Sequence, residues 1–204
     1  MNNYSRNNLP DKDLVNNVLK GNNQAFAAII KSTEALVAQI VTKMIPNAED
    51  RKDIAQDVYL KAFRNLPGFR FQSKLSTWIA KIAYNDCLSW LAKKKLVFPG
   101  SLNDEYETNE DAMKNISHRS MPGSGPEPEM LLLRKERSVI LQAEIDKLPP
   151  VYKTLLSLFH QEEMKYEEIV VITGLPEGTV KSYLFRARKA LRENLLAGYN
   201  KEAL

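Results

Sequence analysis

The stretch from Tyr166 to Leu191, YEEIVVITGLPEGTVKSYLFRARKAL, decides the fold class. Apolar residues return at three and four positions on either side of Gly174, so two helices flank a glycine turn. Ile169, Val170, Leu175, Val180 and Leu184 are spaced to pack those helices together, and Pro176, Glu177 or Thr179 opens the second one. With Val180 and Leu184 turned inward, the second helix presents Thr179, Lys181, Ser182, Phe185, Arg186 and Lys189 outward. This is the layout of a helix-turn-helix, whose second helix lies in a DNA major groove. The outward set mixes side chains that read base edges with cations that neutralise phosphate. A basic solvated helix would share those cations, but the glycine turn, a buried valine six residues on and cations confined to the second helix favour nucleic acid.

Helical periodicity extends upstream, and strand alternation is nowhere sustained. From Asp11 to Lys95 the apolar residues fall at three and four, as in Phe26, Ile29, Ile30, Leu36, Val37, Ile40, Val41 and Met44. Gly21 and Asn22 end a first short helix, Pro46-Asn47 a long second, and Pro67-Gly68 a third that begins near Glu49. A fourth runs from about Ser73 to Lys95, with a buried face of Leu75, Trp78, Ile79, Ile82, Ala83, Cys87, Trp90 and Leu91. Between Val97 and Pro128 the pattern gives way to an acidic tract, Asn103 to Asp111, and a Pro/Gly-rich run. Helical spacing resumes from Met130 to Leu148, stops at Pro149-Pro150 and continues to about Gly198. The fold class is therefore all-α: two small helical domains, 1–96 and 129–204, joined by a flexible linker at 97–128.

The 204 residues leave room for one mid-sized domain or two small, marginally stable ones. The net charge of +4 is unevenly spread: residues 1–95 carry 15 basic and 8 acidic groups, 96–150 carry 6 and 10, and 151–204 carry 8 and 7. Basic ends permit an anionic partner. Cys87 is the only cysteine, which excludes an internal disulfide and a multi-cysteine zinc site and suits a reducing cytosol. The N-terminus lacks a charged start followed by an apolar run, and no stretch approaches about 18 uninterrupted apolar residues, so the chain reads as soluble, cytoplasmic and without membrane insertion. No glycine-rich phosphate loop, nucleophile-base pair or HExxH signature is present. His118 and His160 stand apart from other ligand types, so no metal, cofactor or catalytic residue is expected.

Taken together, Leu148-Pro149, Tyr166-Glu-Glu-Ile169 and the run Gly178-Thr-Val-Lys-Ser-x-x-x-Arg-Ala-Arg188 resemble region 4 of the sigma-70 family. Asp53-Ile-Ala-Gln-Asp-Val-Tyr-Leu-Lys-Ala-Phe63 and Phe69 to Leu91, with Thr77-Trp78 and Ile82-Ala-Tyr-Asn85, resemble region 2. Two such motifs in order, without the further regions of larger members, resemble the extracytoplasmic-function (ECF) group of RNA polymerase sigma factors. The chain departs from the family pattern at Phe71, where glycine is common, at Leu75 (aromatic), at Val170 (alanine), at Tyr183 (arginine) and at Lys93–Lys95 (arginines).

The resemblance implies a factor without catalysis of its own that binds core RNA polymerase and directs promoter-specific initiation through −10 and −35 elements, helping to open the strands. It implies that Asp53, Gln56, Asp57 and Leu60 on the third helix dock on the clamp helices of the largest polymerase subunit, while the C-terminal domain meets the flap. Spacings of three and four place Asp53, Gln56 and Asp57 on one face, opposite Ile54, Val58 and Ala62. Phe69, Arg70, Phe71, Gln72, Ser73 and Lys74, extended by Lys81 and Asn85, supply the aromatic, polar and cationic groups that an extruded base and single strand require. Phe69 and Phe71 fit equally as plugs beneath a helix junction. Promoter DNA and an anti-sigma factor are the further partners implied. A DNA-binding regulator that ignores polymerase, or a helical adaptor that never touches DNA, would share the periodicity.

Overall fold

A computed structural model of the chain describes residues 11–94 and 128–198. Most of the expected linker, with its acidic tract and His118, lies outside the described residues, as does Lys95. Eight α-helices follow one another: α1 (Asp11–Leu19), α2 (Asn23–Met44), α3 (Ala48–Asn65), α4 (Leu75–Lys93), α5 (Pro128–Asp146), α6 (Pro150–His160), α7 (Tyr166–Thr173) and α8 (Glu177–Gly198), with a 3-10 turn at Leu66–Gly68. No strand occurs among the described residues.

Local chemistry sets the boundaries. Asn22 caps α2 by accepting hydrogen bonds from the Gln24 and Ala25 amides, at 2.9 and 3.2 Å, and Asn47 caps α3 through the Glu49 amide at 2.9 Å. Where α2 ends, Arg51 reaches back to the carbonyls of Ile45 (2.7 Å) and Pro46 (3.1 Å), groups the helix leaves unpaired. The N-cap of α4, Lys74, has no capping side chain. Its role falls to Asp11 at the start of α1, whose Oδ2 accepts from the Leu75 amide at 2.7 Å.

The N-terminal half wraps around α2, which packs on α1, α3 and α4 and, from the C-terminal half, on α6. By length and composition α2 could cross a membrane, with a mean hydropathy of 1.4 over 18 residues. Ile29, Leu36, Val37, Ile40, Val41 and Met44 are instead buried by its neighbours. Phe26 and Ile30, expected in the same core, are only half-buried. Lys61 and Asp86 tie α3 to α4 at 2.6 Å.

Helix α4 departs most from its periodicity. Leu75, Ile79, Ala83, Cys87 and Leu91 are buried as expected, but Trp78, Ile82 and Trp90 are half-exposed, while Thr77, Ala80 and Tyr84 are fully enclosed. The cause is a second covered face, since α4 packs on α2 and α3 and also on α7. Burial, with Tyr183 and Cys87 nearby, pushes the Tyr84 phenol up to about 12. Cys87 is likewise pushed up to about 12, first by burial and then by Asp86, which leaves an unreactive thiol.

Candidate interfaces on the two helical halves

On α3, Asp53, Gln56, Asp57 and Leu60 are exposed, while Ile54, Val58 and Ala62 on the opposite side are buried. Leu60 is 53% exposed and Phe63 47%. With Phe26, Ile30, Gln56 and Tyr59 they line an open apolar groove between α2 and α3. Phe26 and Phe63 meet edge to face at 4.9 Å, and the Tyr59 hydroxyl reaches Thr33 at 3.1 Å. Sequence reasoning assigned Phe26 and Ile30 to the core and passed over Phe63. Its position three residues after Leu60, on the same face, was the available signal.

The loop before α4 separates the two phenylalanines. Phe69 is buried beneath it, its ring 5.1 Å from Trp78 and its amide bonded to the Leu66 carbonyl at 3.0 Å. Of the two readings of Phe69, the plug is the one its burial fits. Phe71 lies outside, 44% exposed, against Phe69 at 4.7 Å. Its φ is +56°, the left-handed region that suits glycine. Arg70, Gln72 and Lys74 are exposed and Ser73 half-buried, with its hydroxyl donating to the Lys74 carbonyl at 3.3 Å. Lys81 and Asn85, four residues apart on α4, are both exposed.

In the C-terminal half Gly174 adopts φ +71° and ψ 7°, and its amide closes α7 on the Val170 carbonyl at 2.8 Å. Ile169, Val180 and Leu184 pack the two helices and are fully buried, while Val170 and Leu175 are half-buried. Phe185 and Lys189 are exposed; Thr179, Lys181, Ser182 and Arg186 are half-buried. Lys181 pairs with Glu177 at 2.7 Å, the Ser182 hydroxyl donates to the Thr179 carbonyl at 2.9 Å, and Arg186 lies 6.0 Å from the Tyr183 ring.

A polar seam that sequence reasoning missed joins the halves. The Gln39 amide on α2 donates to Ser157 and, at 2.7 Å, to Gln161 on the α6 side. Lys43 pairs with Asp146 at 3.2 Å. Lys74, from the loop before α4, pairs with Glu168 on α7 at 2.8 Å. The hydrogen bond from Lys74 holds the Glu168 carboxyl below its usual range. Among the described residues no cluster of histidine, cysteine and carboxylates is arranged to hold a metal ion.

Residues 29–97, from within α2 through α4, match the family described as Sigma-70 region 2, and residues 138–191, from α5 into α8, match Sigma-70, region 4. The ECF RNA polymerase sigma-E factor of Escherichia coli K12 is 33% identical over 187 residues, covering 90% of this chain and 93% of its own. This chain is one of the ECF RNA polymerase sigma factors. The ECF RNA polymerase sigma factor SigW of Bacillus subtilis agrees, at 33% identity over 184 residues, 90% of this chain and 96% of the relative. Two solved structures share the fold: CnrH in complex with the cytosolic domain of CnrY (TM-score 0.61, 18% identity, 93% of this chain and 99% of that one), and the sigma factor RpoE in complex with the anti-sigma factor NepR from Bartonella quintana (0.56, 20%, 85% and 98%). The family assigns this sigma factor to promoter-directed transcription initiation.

Proposed function

We propose that the sigma factor docks on core RNA polymerase through the exposed face of α3, Asp53, Gln56, Asp57 and Leu60, and supplies location and strand opening without chemistry of its own. The observation that carries the docking surface is the split of α3 into one fully buried face and one acidic face bordered by the open apolar groove at Leu60 and Phe63. Basic side chains on the clamp helices would make charge-assisted bonds to the two aspartates. The loop Arg70–Lys74, with Lys81 and Asn85, would hold the melted −10 strand over Phe69. The outer face of α8, Thr179, Lys181, Ser182, Phe185, Arg186 and Lys189, would read the −35 duplex, with the domain around it resting on the flap.

Lys74 is engaged with Glu168 in the closed arrangement, so its use on DNA requires the halves to part. Two tethered modules, each weak alone, then grip two promoter elements at once. An anti-sigma factor is a natural inhibitor of such a device, and the two fold neighbours named above were solved as complexes. The cytoplasm, where polymerase and DNA are found, is the compartment this function requires.

Run-off transcription with purified core polymerase is the test. Promoter-dependent transcripts that need this protein are expected, and Asp57→Lys should reduce binding to core polymerase without unfolding the chain. Operator binding without transcripts would make the protein a regulator instead, and no salt-dependent DNA affinity even beside polymerase would make it an adaptor. Arg186→Ala is expected to weaken recognition of the upstream element by about 1–3 kcal/mol.

A further inference from the structure

The seam between the halves has a consistent charge polarity. In each of the two ion pairs described above the N-terminal half supplies the lysine and the C-terminal half the carboxylate: Lys43 with Asp146 at 3.2 Å, and Lys74 with Glu168 at 2.8 Å. At Lys74 the carboxylates come as a group. Residues 161–168 hold four glutamates and one lysine. Of these, Glu162, Glu163 and Glu168 line one cleft of about 280 Å³ together with Lys74, Ser76 and Thr77 from the start of α4.

The segment that carries these glutamates has a fixed shape. After α6 the amides of Gln161 and Glu162 bond to the Ser157 carbonyl at 2.9 and 3.1 Å, and the Met164 amide bonds to the Leu158 carbonyl at 3.1 Å. Glu163, between them, takes φ +51°, a left-handed backbone that a residue with a side chain holds only where its surroundings impose it. Gln39 on α2 grips the same segment through Gln161 at 2.7 Å.

A carboxylate and a phosphodiester meet a lysine by the same chemistry, a charge-assisted bond between an ammonium and an anionic oxygen. Glu168 therefore occupies the place that a strand phosphate would take on Lys74, and Glu162 and Glu163 would repel any backbone that approached it. The docking face of α3 is untouched by this contact. Asp53, Gln56, Asp57 and Leu60 stay exposed while the halves are together, so the closed molecule is open to polymerase where it is shut to DNA.

We propose that the glutamates of residues 161–168 are a built-in substitute for the DNA backbone, holding the loop before α4 closed to single strands in the free factor. This rests on the strand-opening role proposed above and adds the group that competes with the strand.

The test is binding of a fluorescein-labelled single-stranded DNA of mixed sequence to the free full-length chain, read by anisotropy. Glu162→Gln, Glu163→Gln and Glu168→Gln are combined in one seam variant. Glutamine at 168 can still accept from the Lys165 amide, so α7 keeps its cap and the thermal midpoint should hold. A control changes the exposed Glu49, Glu136 and Glu193 to glutamine and removes the same charge away from the cleft. The seam variant should bind about three- to tenfold more tightly than the control. Adding Lys74→Ala should erase that gain, because the glutamates act through Lys74. Assembly with core polymerase, and promoter opening by the resulting holoenzyme, should match the wild type. An equal gain in the control, or a gain that survives Lys74→Ala, would reduce the effect to net charge and overturn the proposal. So would the absence of any gain, or a seam variant whose holoenzyme opens promoters poorly. Wild-type protein that yields no promoter-dependent transcript would remove the broader sigma-factor reading, a failure told apart because the oligonucleotide titration needs no polymerase.

Discussion

Two turns in this molecule lead into helices that carry proposed DNA contacts, and each places one residue in the left-handed region. Before α8 that residue is Gly174, at φ +71°; before α4 it is Phe71, at φ +56°. A Cβ added at Gly174 would meet no atom within 4 Å, so glycine there answers to the backbone alone. The turn fixes how α8 crosses α7 and presents no side chain. Both backbones would suit glycine, but only the first turn has one; the second carries a half-exposed ring in the same region.

Ways to break that contrast can be ranked by expected effect. Leu184→Ala should be the most damaging, at about 2–5 kcal/mol in urea denaturation, because its fully buried side chain holds α8 against the rest of the C-terminal half. A loss below about 1 kcal/mol would mean that packing does not set the geometry of the second turn. Gly174→Ala should cost about 1–2 kcal/mol from conformation alone, since the added methyl meets no neighbour. A neutral result would show that the left-handed backbone is dispensable there and dissolve the comparison.

At the other turn, Asp11→Ala removes the cap on α4 and should cost about 0.5–2 kcal/mol, with Asp11→Asn keeping most of it. Hydrogen exchange at the first amides of α4 would locate the loss; unchanged protection would mean that α1 does not pin the loop. The smallest effect belongs to the Lys74–Glu168 pair, worth about 0–1 kcal/mol because its lysine is largely solvent-exposed, though its glutamate is only a quarter exposed. Because Lys74 lowers the Glu168 pKa, the contribution is present above the ordinary carboxylate range and lost as pH falls through the lowered value. Distance measurements between labels on the two halves should show them separating with acid or salt, and less so in Glu168→Gln. No response in the wild type would remove the pair from the seam.

Much of this was legible because local rules act over a few residues. Gly174 had to be the turn, since an apolar period of three and four on each side leaves nowhere else for the chain to reverse. The exposed face of α3 followed from the spacing of Asp53, Gln56 and Asp57. Phe71 stands where the family commonly has glycine, a signal of left-handed backbone that the sequence reading did not draw out and the structure supplied. Legibility failed where one helix meets several neighbours. Trp78, Ile82 and Trp90 were assigned to the core because periodicity describes a single buried stripe, yet α4 is covered on two sides and its smaller residues Thr77 and Ala80 occupy the tighter contact.

The sequence alone determined the helical class, the breaks between helices, the helix-turn-helix and the resemblance to a two-region sigma factor, because each is written in local stretches of chain. Only the tertiary structure decided that Phe69 is enclosed while Phe71 is left in solvent, that Asp11 caps a helix 64 positions away, and that Gln39 meets Ser157 across 118 positions. Contacts at such separations depend on how whole helices stack, and hydrophobic spacing along one helix carries no record of what lies on its far side.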